Sequence, residues 1–180
     1  MPQRIAISGS AGVGKTTLGR RLAADLGLPF LGEGMREYLE RTGTDLHTLG
    51  HGGMRDLVAR LWEERRDAEA RATAGFVADR GAIDYAAFWL YYRFASPGDD
   101  SEARFAEWLT PGRYDLQVLL PWGVLPLVAD GIRSTDRWVQ LHVQLLVEGL
   151  CRRHAPAAVT LTAVELDDRL AEVHRLLRSG

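Results

Sequence analysis

Gly9-Ser10-Ala11-Gly12-Val13-Gly14-Lys15-Thr16 is the stretch on which the reading of this chain turns: a glycine, four residues, then Gly-Lys-Thr. Before it, Arg4 to Ser8 reads as a short strand with Ile5 and Ile7 buried. After it, Lys15 to about Leu26 reads as a helix, stopped by Gly27 and Pro29. Glycines between a strand and a helix let the backbone curl, so that successive amides and the helix N-terminus point at phosphate oxygens. Lys15 supplies a point cation for β and γ phosphates, the Thr16 hydroxyl a ligand for Mg2+, and Thr17 a contact to the α phosphate. Residues Gly9, Ser10, Ala11, Gly12, Val13, Gly14, Lys15, Thr16 and Thr17 are therefore the candidate nucleotide site. No Asn-Lys-x-Asp sequence is present, which disfavours a regulatory GTPase, and ATP is taken as the default donor.

The rest of the chain repeats the strand-then-helix alternation. Pro29 to Leu31 reads as a second strand presenting Glu33, Arg36 to Arg41 as helical, and Thr42 to Gly53 as a glycine-rich loop. Leu57, Val58, Leu61 and Trp62 recur at helical spacing over Met54 to Ala74, with Glu63, Glu64, Arg65 and Arg66 on the opposite face. Phe76 to Ala78 reads as a third strand ending at Asp79 and Arg80, followed by an aromatic helix carrying Tyr85, Phe88, Trp89 and Tyr92, with Phe94 close to its end. A short helix over Glu102 to Leu109 precedes a nearly all-apolar strand, Leu116 to Leu120, of the kind that is covered on both faces. Thr135 is placed to cap a helix reaching Gly149, with Trp138, Leu141, Leu145 and Leu146 packed inward. Ala157 to Ala163 supplies the last strand and Glu165 to Arg178 the closing helix. Five strands alternating with helices favour a parallel sheet between helical layers: an α/β three-layer sandwich with a mainly parallel five-stranded sheet. With its phosphate loop, such a chain resembles the P-loop NTP hydrolases and nucleotide kinases. One domain is expected over 1–180, with a small lid around 130–137.

Composition narrows the function classes. Of 180 residues, 22 are Lys or Arg and 24 Asp or Glu, a net charge of −2 that argues against a nucleic-acid-binding surface. With 46% apolar and 26% charged residues, the chain has material for a sizeable core. No apolar run reaches the roughly 20 residues needed to span lipid, and no signal segment is evident. The single Cys151 forms no internal disulfide and builds no cysteine zinc site, and His47 and His51 leave a zinc tetrahedron unfinished. A cytoplasmic protein is expected, with no membrane partner.

The phosphate loop, Glu33 with Arg36 and Glu37, Asp79-Arg80 with Asp84-Tyr85, and Asp130-Gly131 with Arg133 together resemble bacterial P-loop kinases of the AAA-type ATPase group, related to the kinase domain of the bifunctional NAD-biosynthesis regulator. The resemblance spans most of the chain, and only the phosphate loop is highly specific. Deoxynucleoside and nucleoside monophosphate kinases share the broad arrangement. The resemblance implies phosphoryl transfer to a small acceptor, with Glu33 as base or hydroxyl-orienting group and an arginine-bearing lid at Arg133 and Arg137.

Chemistry assigns the remaining candidates. Asp79, at a strand end, is placed to position Mg2+ or to act as the base in place of Glu33, and Arg80 to neutralise anionic oxygens. Arg36 is a candidate for an acceptor phosphate or carboxylate, and Asp84, Tyr85 and Phe88 for acceptor contact. Each has a plainer alternative: a solvated carboxylate, a helix cap, a core aromatic or a surface ion pair. Trp89 and Tyr92 either pack on the sheet or form a homodimer surface. The leading reading is a Mg2+- and ATP-dependent kinase of a nucleoside or nucleotide. Its rivals are an antibiotic or other metabolite kinase using the same site, and an ATP-binding regulatory module.

Overall fold

Strand β1 (Gln3–Ser8) lies at the centre of a five-stranded, all-parallel sheet of order β2-β3-β1-β4-β5. The computed structural model describes residues 3–126 and 134–179. The other strands are β2 (Phe30–Leu31), β3 (Gly75–Asp79), β4 (Leu116–Leu119) and β5 (Val159–Thr160). In register, Ile5 faces Val77 on one side and Leu116 on the other, while Ile7 faces Asp79 and Val118. Ser8, Asp79, Leu119 and the residues after Leu31 thus emerge along one edge, the carboxyl ends of the strands, where ligands of open parallel sheets bind.

The helices are α1 (Lys15–Leu26), α2 (Met35–Thr42), α3 (His51–Arg71), α4 (Ala82–Tyr91), α5 (Ser101–Trp108), α6 (Arg137–His154) and α7 (Leu166–Ser179). Three apolar clusters hold the layers together. Ile5, Ile7, Leu18, Leu22, Val77, Val118, Leu161 and Val173 join the sheet to α1 and α7. Leu57, Leu61, Trp62, Tyr85, Trp89 and Trp108 join α3, α4 and α5. Ile83, Ala87, Leu119, Val143, Val147 and Cys151 seat α4 and α6 on the other face. Gly19 lets α1 pack closely: a Cβ there would lie 2.6 Å from the Phe30 ring.

Several expectations need correction. The segment from Thr42 to Gly53 is not all loop: Leu46–Thr48 forms a turn of 3₁₀ helix, and α3 begins at His51 and runs through Gly52 and Gly53. Leu49 packs against Gly53 and Met54 N donates to Gly50 O, which offsets the low helix propensity of two glycines. Phe94 lies beyond α4, where the chain turns back through Arg93 at φ 56° and sets Phe94 edge-on against Trp89. Asp136, not Thr135, caps α6, accepting from Trp138 N at 2.8 Å. The inward face of α6 also differs: Gln140, Val143, Gln144, Val147 and Cys151 are buried, whereas Trp138 is 63% and Leu145 57% exposed. Arg65 is buried within α3 rather than on its outer face. The lid expected around 130–137 is described only from Ser134 onward; Asp130 and Arg133 lie outside the described residues.

Candidate active site

The phosphate loop is held from outside by side chains of α4, α6, α7 and the residue after β3. Gly9, Gly12 and Gly14 take φ of 136°, 77° and 94°, values that other residues adopt only with strain. The amides of Gly9, Ser10 and Ala11 donate to Asp84 Oδ1 (3.1 Å), Gln144 Oε1 (2.8 Å) and Gln140 Oε1 (2.9 Å). The carbonyls of Gly9, Ser10 and Val13 accept from Arg80 Nη1 (3.0 Å), Lys15 Nζ (2.5 Å) and Arg169 Nη1 (2.8 Å). Among the described residues the amides of Gly12, Val13 and Gly14 have no acceptor outside regular structure. The loop therefore presents its last amides while its carbonyls are drawn outward by three cations, a polarity suited to an anion. A cleft lined by Gly12, Gly14, Lys15, Thr16, Thr17, Leu125 and Pro126 adjoins this surface. Burial, then repulsion from Arg80, lowers the Lys15 ammonium to about 8.

The Thr16 hydroxyl donates to Asp79 Oδ2 at 2.5 Å, and Asp79 Oδ1 is buried without a hydrogen-bond partner among the described residues. An orphaned buried carboxylate oxygen is costly unless something completes it. Two hard oxygen donors at the loop fit Mg2+, which retains waters and phosphate oxygens as its other ligands. No group of three or more His, Cys, Asp and Glu forms a metal cage among the described residues, so protein ligands alone would not retain the ion.

Arg80 connects the phosphate loop to a neighbouring cavity. It adopts φ 74°, unusual for a side chain other than glycine, and is 5% exposed. Its Nε donates to Glu33 Oε2 at 2.9 Å, its Nη1 lies 3.6 Å from Asp84, and its guanidinium stands 4.7 Å over the Phe88 ring. Burial opposes its charge, but Glu33, Asp84 and Asp79 outweigh that and raise its pKa. Asp84 belongs to the loop's bracing: its carboxylate accepts from Ser8 Oγ (2.6 Å), Gly9 N and Gly81 N (2.9 Å). It is not among the residues that bound the neighbouring cavity.

The cavity has a volume of about 330 Å³ and is bounded by Glu33, Arg80, Tyr85, Phe88, Tyr91 and Tyr92, with Leu61, Val143 and Gln140 closing other sides. Burial raises the phenols of Tyr85 and Tyr92, so both stay neutral donors at ordinary pH. Trp89 is fully buried, hydrogen-bonded to Ser101 Oγ, and belongs to the core rather than to a dimer surface. Arg36 is exposed and outside the cavity lining. Arg137, exposed at the start of α6, stacks between Trp122 and Trp138 at 5.4 and 4.9 Å. Cys151 is buried, its thiol pushed up to about 12 by burial, as an inert core residue would be.

Sequence reasoning missed four residues that shape the site. Gln140 and Gln144 hold loop amides from α6, Arg169 holds Val13 from α7, and Arg65 donates to Leu31 O, Gly32 O and Asp79 O, fixing the strand ends that carry Glu33 and Asp79. The one available signal was Gln140 and Gln144 at i and i+4, a polar pair on one helical face.

Solved structures sharing this architecture include NadR protein in complex with NR, at TM-score 0.69 and 26% identity over 97% of this chain and 51% of that one. Deoxyadenosine kinase from M. mycoides matches at TM-score 0.67 and 14% identity, covering 99% of this chain and 100% of that one. Shikimate kinase from Acinetobacter baumannii, in complex with shikimate, matches at TM-score 0.62 and 20% identity, covering 99% and 94%. The chain spans about half the length of the NadR chains it matches. No curated protein matches the sequence. The phosphate loop, the parallel sheet behind it and a family-model match over residues 4–169 make this chain a member of the AAA domain family.

Proposed function

We propose that the protein is an ATP-dependent, Mg2+-requiring phosphotransferase acting on a small acceptor with an aromatic ring and a free hydroxyl, a nucleoside being the leading candidate. The observation that carries this is Arg80, which binds the phosphate-loop carbonyl of Gly9 and the cavity carboxylate of Glu33 with one guanidinium. A donor site and an acceptor cavity are thereby adjacent, as transfer between two bound molecules requires. The names of the structural neighbours, a deoxyadenosine kinase, a shikimate kinase and a NadR protein holding NR, support the reaction type and leave the acceptor open.

The loop amides and Lys15 hold the triphosphate, with Thr16 and Asp79 available to Mg2+. Bound there, the ion neutralises phosphate charge. Glu33 orients the acceptor hydroxyl and takes its proton, and Arg80 fixes the Glu33 carboxylate while adding positive charge beside the transferring group. Tyr85, Phe88, Tyr91 and Tyr92 enclose the acceptor ring and keep water away from the phosphates. Arg137, exposed at the start of α6, is proposed as the lid residue that closes on the donor. The proposal extends to a single domain without a membrane or nucleic-acid partner. Among the described residues no helix is long and apolar enough to cross a membrane.

The test is an acceptor panel of nucleosides, nucleotides, shikimate-like polyols and aminoglycosides with MgATP, reading phosphorylated product directly. Phosphorylation of a ring-bearing hydroxyl compound, slowed about 100-fold in Glu33→Gln, is the expected result. Tight MgATP binding with no acceptor turned over would replace the kinase reading with that of a nucleotide-responsive module.

A further inference from the structure

Arg169 lies 156 residues from the loop it touches. It is 2% exposed, and its Nε donates to Ala163 O at 2.9 Å and its Nη1 to Val13 O at 2.8 Å. A Cβ on Gly14 would stand 2.8 Å from Nη1, so the guanidinium lies directly against the backbone of the phosphate loop. Nη2 is buried with no hydrogen-bond partner among the described residues. No carboxylate there comes within ion-pair distance of it; Glu165 is exposed and acts on it only through its field. Arg80, the other buried arginine of the loop, is enclosed by Glu33 and Asp84. One cation of the loop is thus charge-balanced and the other is not.

A buried cation with an orphaned donor and no counter-ion is unfavourable in the empty protein. The imbalance is relieved when an anion occupies the adjoining face of the loop. Holding the Val13 carbonyl outward also keeps the following amides of Gly14 and Lys15 turned toward that face. We infer that Arg169 is a positioning residue of the donor site, which fixes the Val13–Gly14 turn and supplies the uncompensated charge that a nucleotide's phosphates balance. This rests on the reading of the loop as a nucleotide site. Burial lowers the Arg169 pKa, in keeping with a charge that lacks a partner.

The probes are MgATP and MgADP, titrated into wild type, Arg169→Met and Arg169→Lys, with the nucleotide-free Tm of each. Methionine keeps the apolar stem and removes the charge. Expected for Arg169→Met is a nucleotide-free Tm within about 3 °C of wild type or above it, with MgATP affinity weakened about 10-fold or more, the loss of a charged hydrogen bond. Arg169→Lys should recover part of that affinity at unchanged Tm. With product as readout, KM for ATP should rise while KM for the acceptor stays constant. Wild-type affinity in Arg169→Met, or a nucleotide-free Tm lowered by more than about 5 °C in either variant, would overturn the inference and make Arg169 a residue of the fold alone. Failure of wild type itself to bind MgATP would instead defeat the nucleotide-site reading, so the two failures are separable.

Discussion

The two halves of the site are built from different materials. The donor half is a backbone device: glycines at positive φ, amides presented in a row and side chains from α4, α6, α7 and the end of β3 fixing them from behind. The half proposed to hold the acceptor is a side-chain device, four aromatic rings around a cavity in which Glu33 and Arg80 are the charged pair. A backbone device tolerates few substitutions but accepts any ligand ending in phosphates. A side-chain device can be re-lined without disturbing the fold, and the proposed function puts acceptor choice there. Arg80 and Asp84 join the two.

Substitutions should separate the halves. Lys15→Met removes the pocket cation and should reduce product formation at limiting ATP by about 1,000-fold, the scale on which a transition-state charge contact acts. Glu33→Gln should lower kcat about 100-fold, with MgATP affinity unchanged by calorimetry. Equal kcat would move the proton-accepting role to Asp79. Asp84→Ala should affect both halves and the fold, since it strands Ser8 Oγ, two backbone amides and part of the charge balance of Arg80; denaturant melts should show a loss of about 3 kcal/mol. Phe88→Ala should raise the acceptor KM about 10-fold through lost ring contact and leave ATP KM untouched.

A further expected effect is of pH. Lys15 titrates near 8 in the folded protein against an ordinary 10.5. Between those values the unfolded chain binds more protons, so this group makes stability rise with pH across that window. Nucleotide-free wild type should therefore gain stability from pH 8 to 10.5 relative to Lys15→Met, by an amount on the order of 3 kcal/mol at most. Parallel pH profiles for the two proteins would show that the Lys15 charge is not held at a cost.

The donor half was legible because its signal is local: the glycines, Lys15 and Thr16 occupy one contiguous stretch, and a strand must precede it and a helix follow. Glu33, Asp79 and Arg80 were legible for a related reason, since each lies at or within two residues of the end of a strand. Gln140, Gln144, Arg65 and Arg169 were not. On amphipathic helices a Gln or Arg reads as solvent face, and only the folded chain shows them turned inward to satisfy loop carbonyls and amides. The same requirement explains the rotated face of α6: buried Gln140 and Gln144 meet the phosphate loop, which leaves Trp138 and Leu145 outside. Asp84 was found, but the sequence does not show that its carboxylate is shared among Ser8, Gly9 and Gly81.

Backbone amide NMR during a MgATP titration puts the loop itself under observation. The amides of Gly12, Val13, Gly14 and Lys15 should shift strongly at saturation. Those of Gly9, Ser10 and Ala11, already donating to Asp84, Gln144 and Gln140, should move little. A loop whose amides all stay unperturbed at saturating MgATP would contradict the assignment of this site to a nucleotide, and the kinase reading with it.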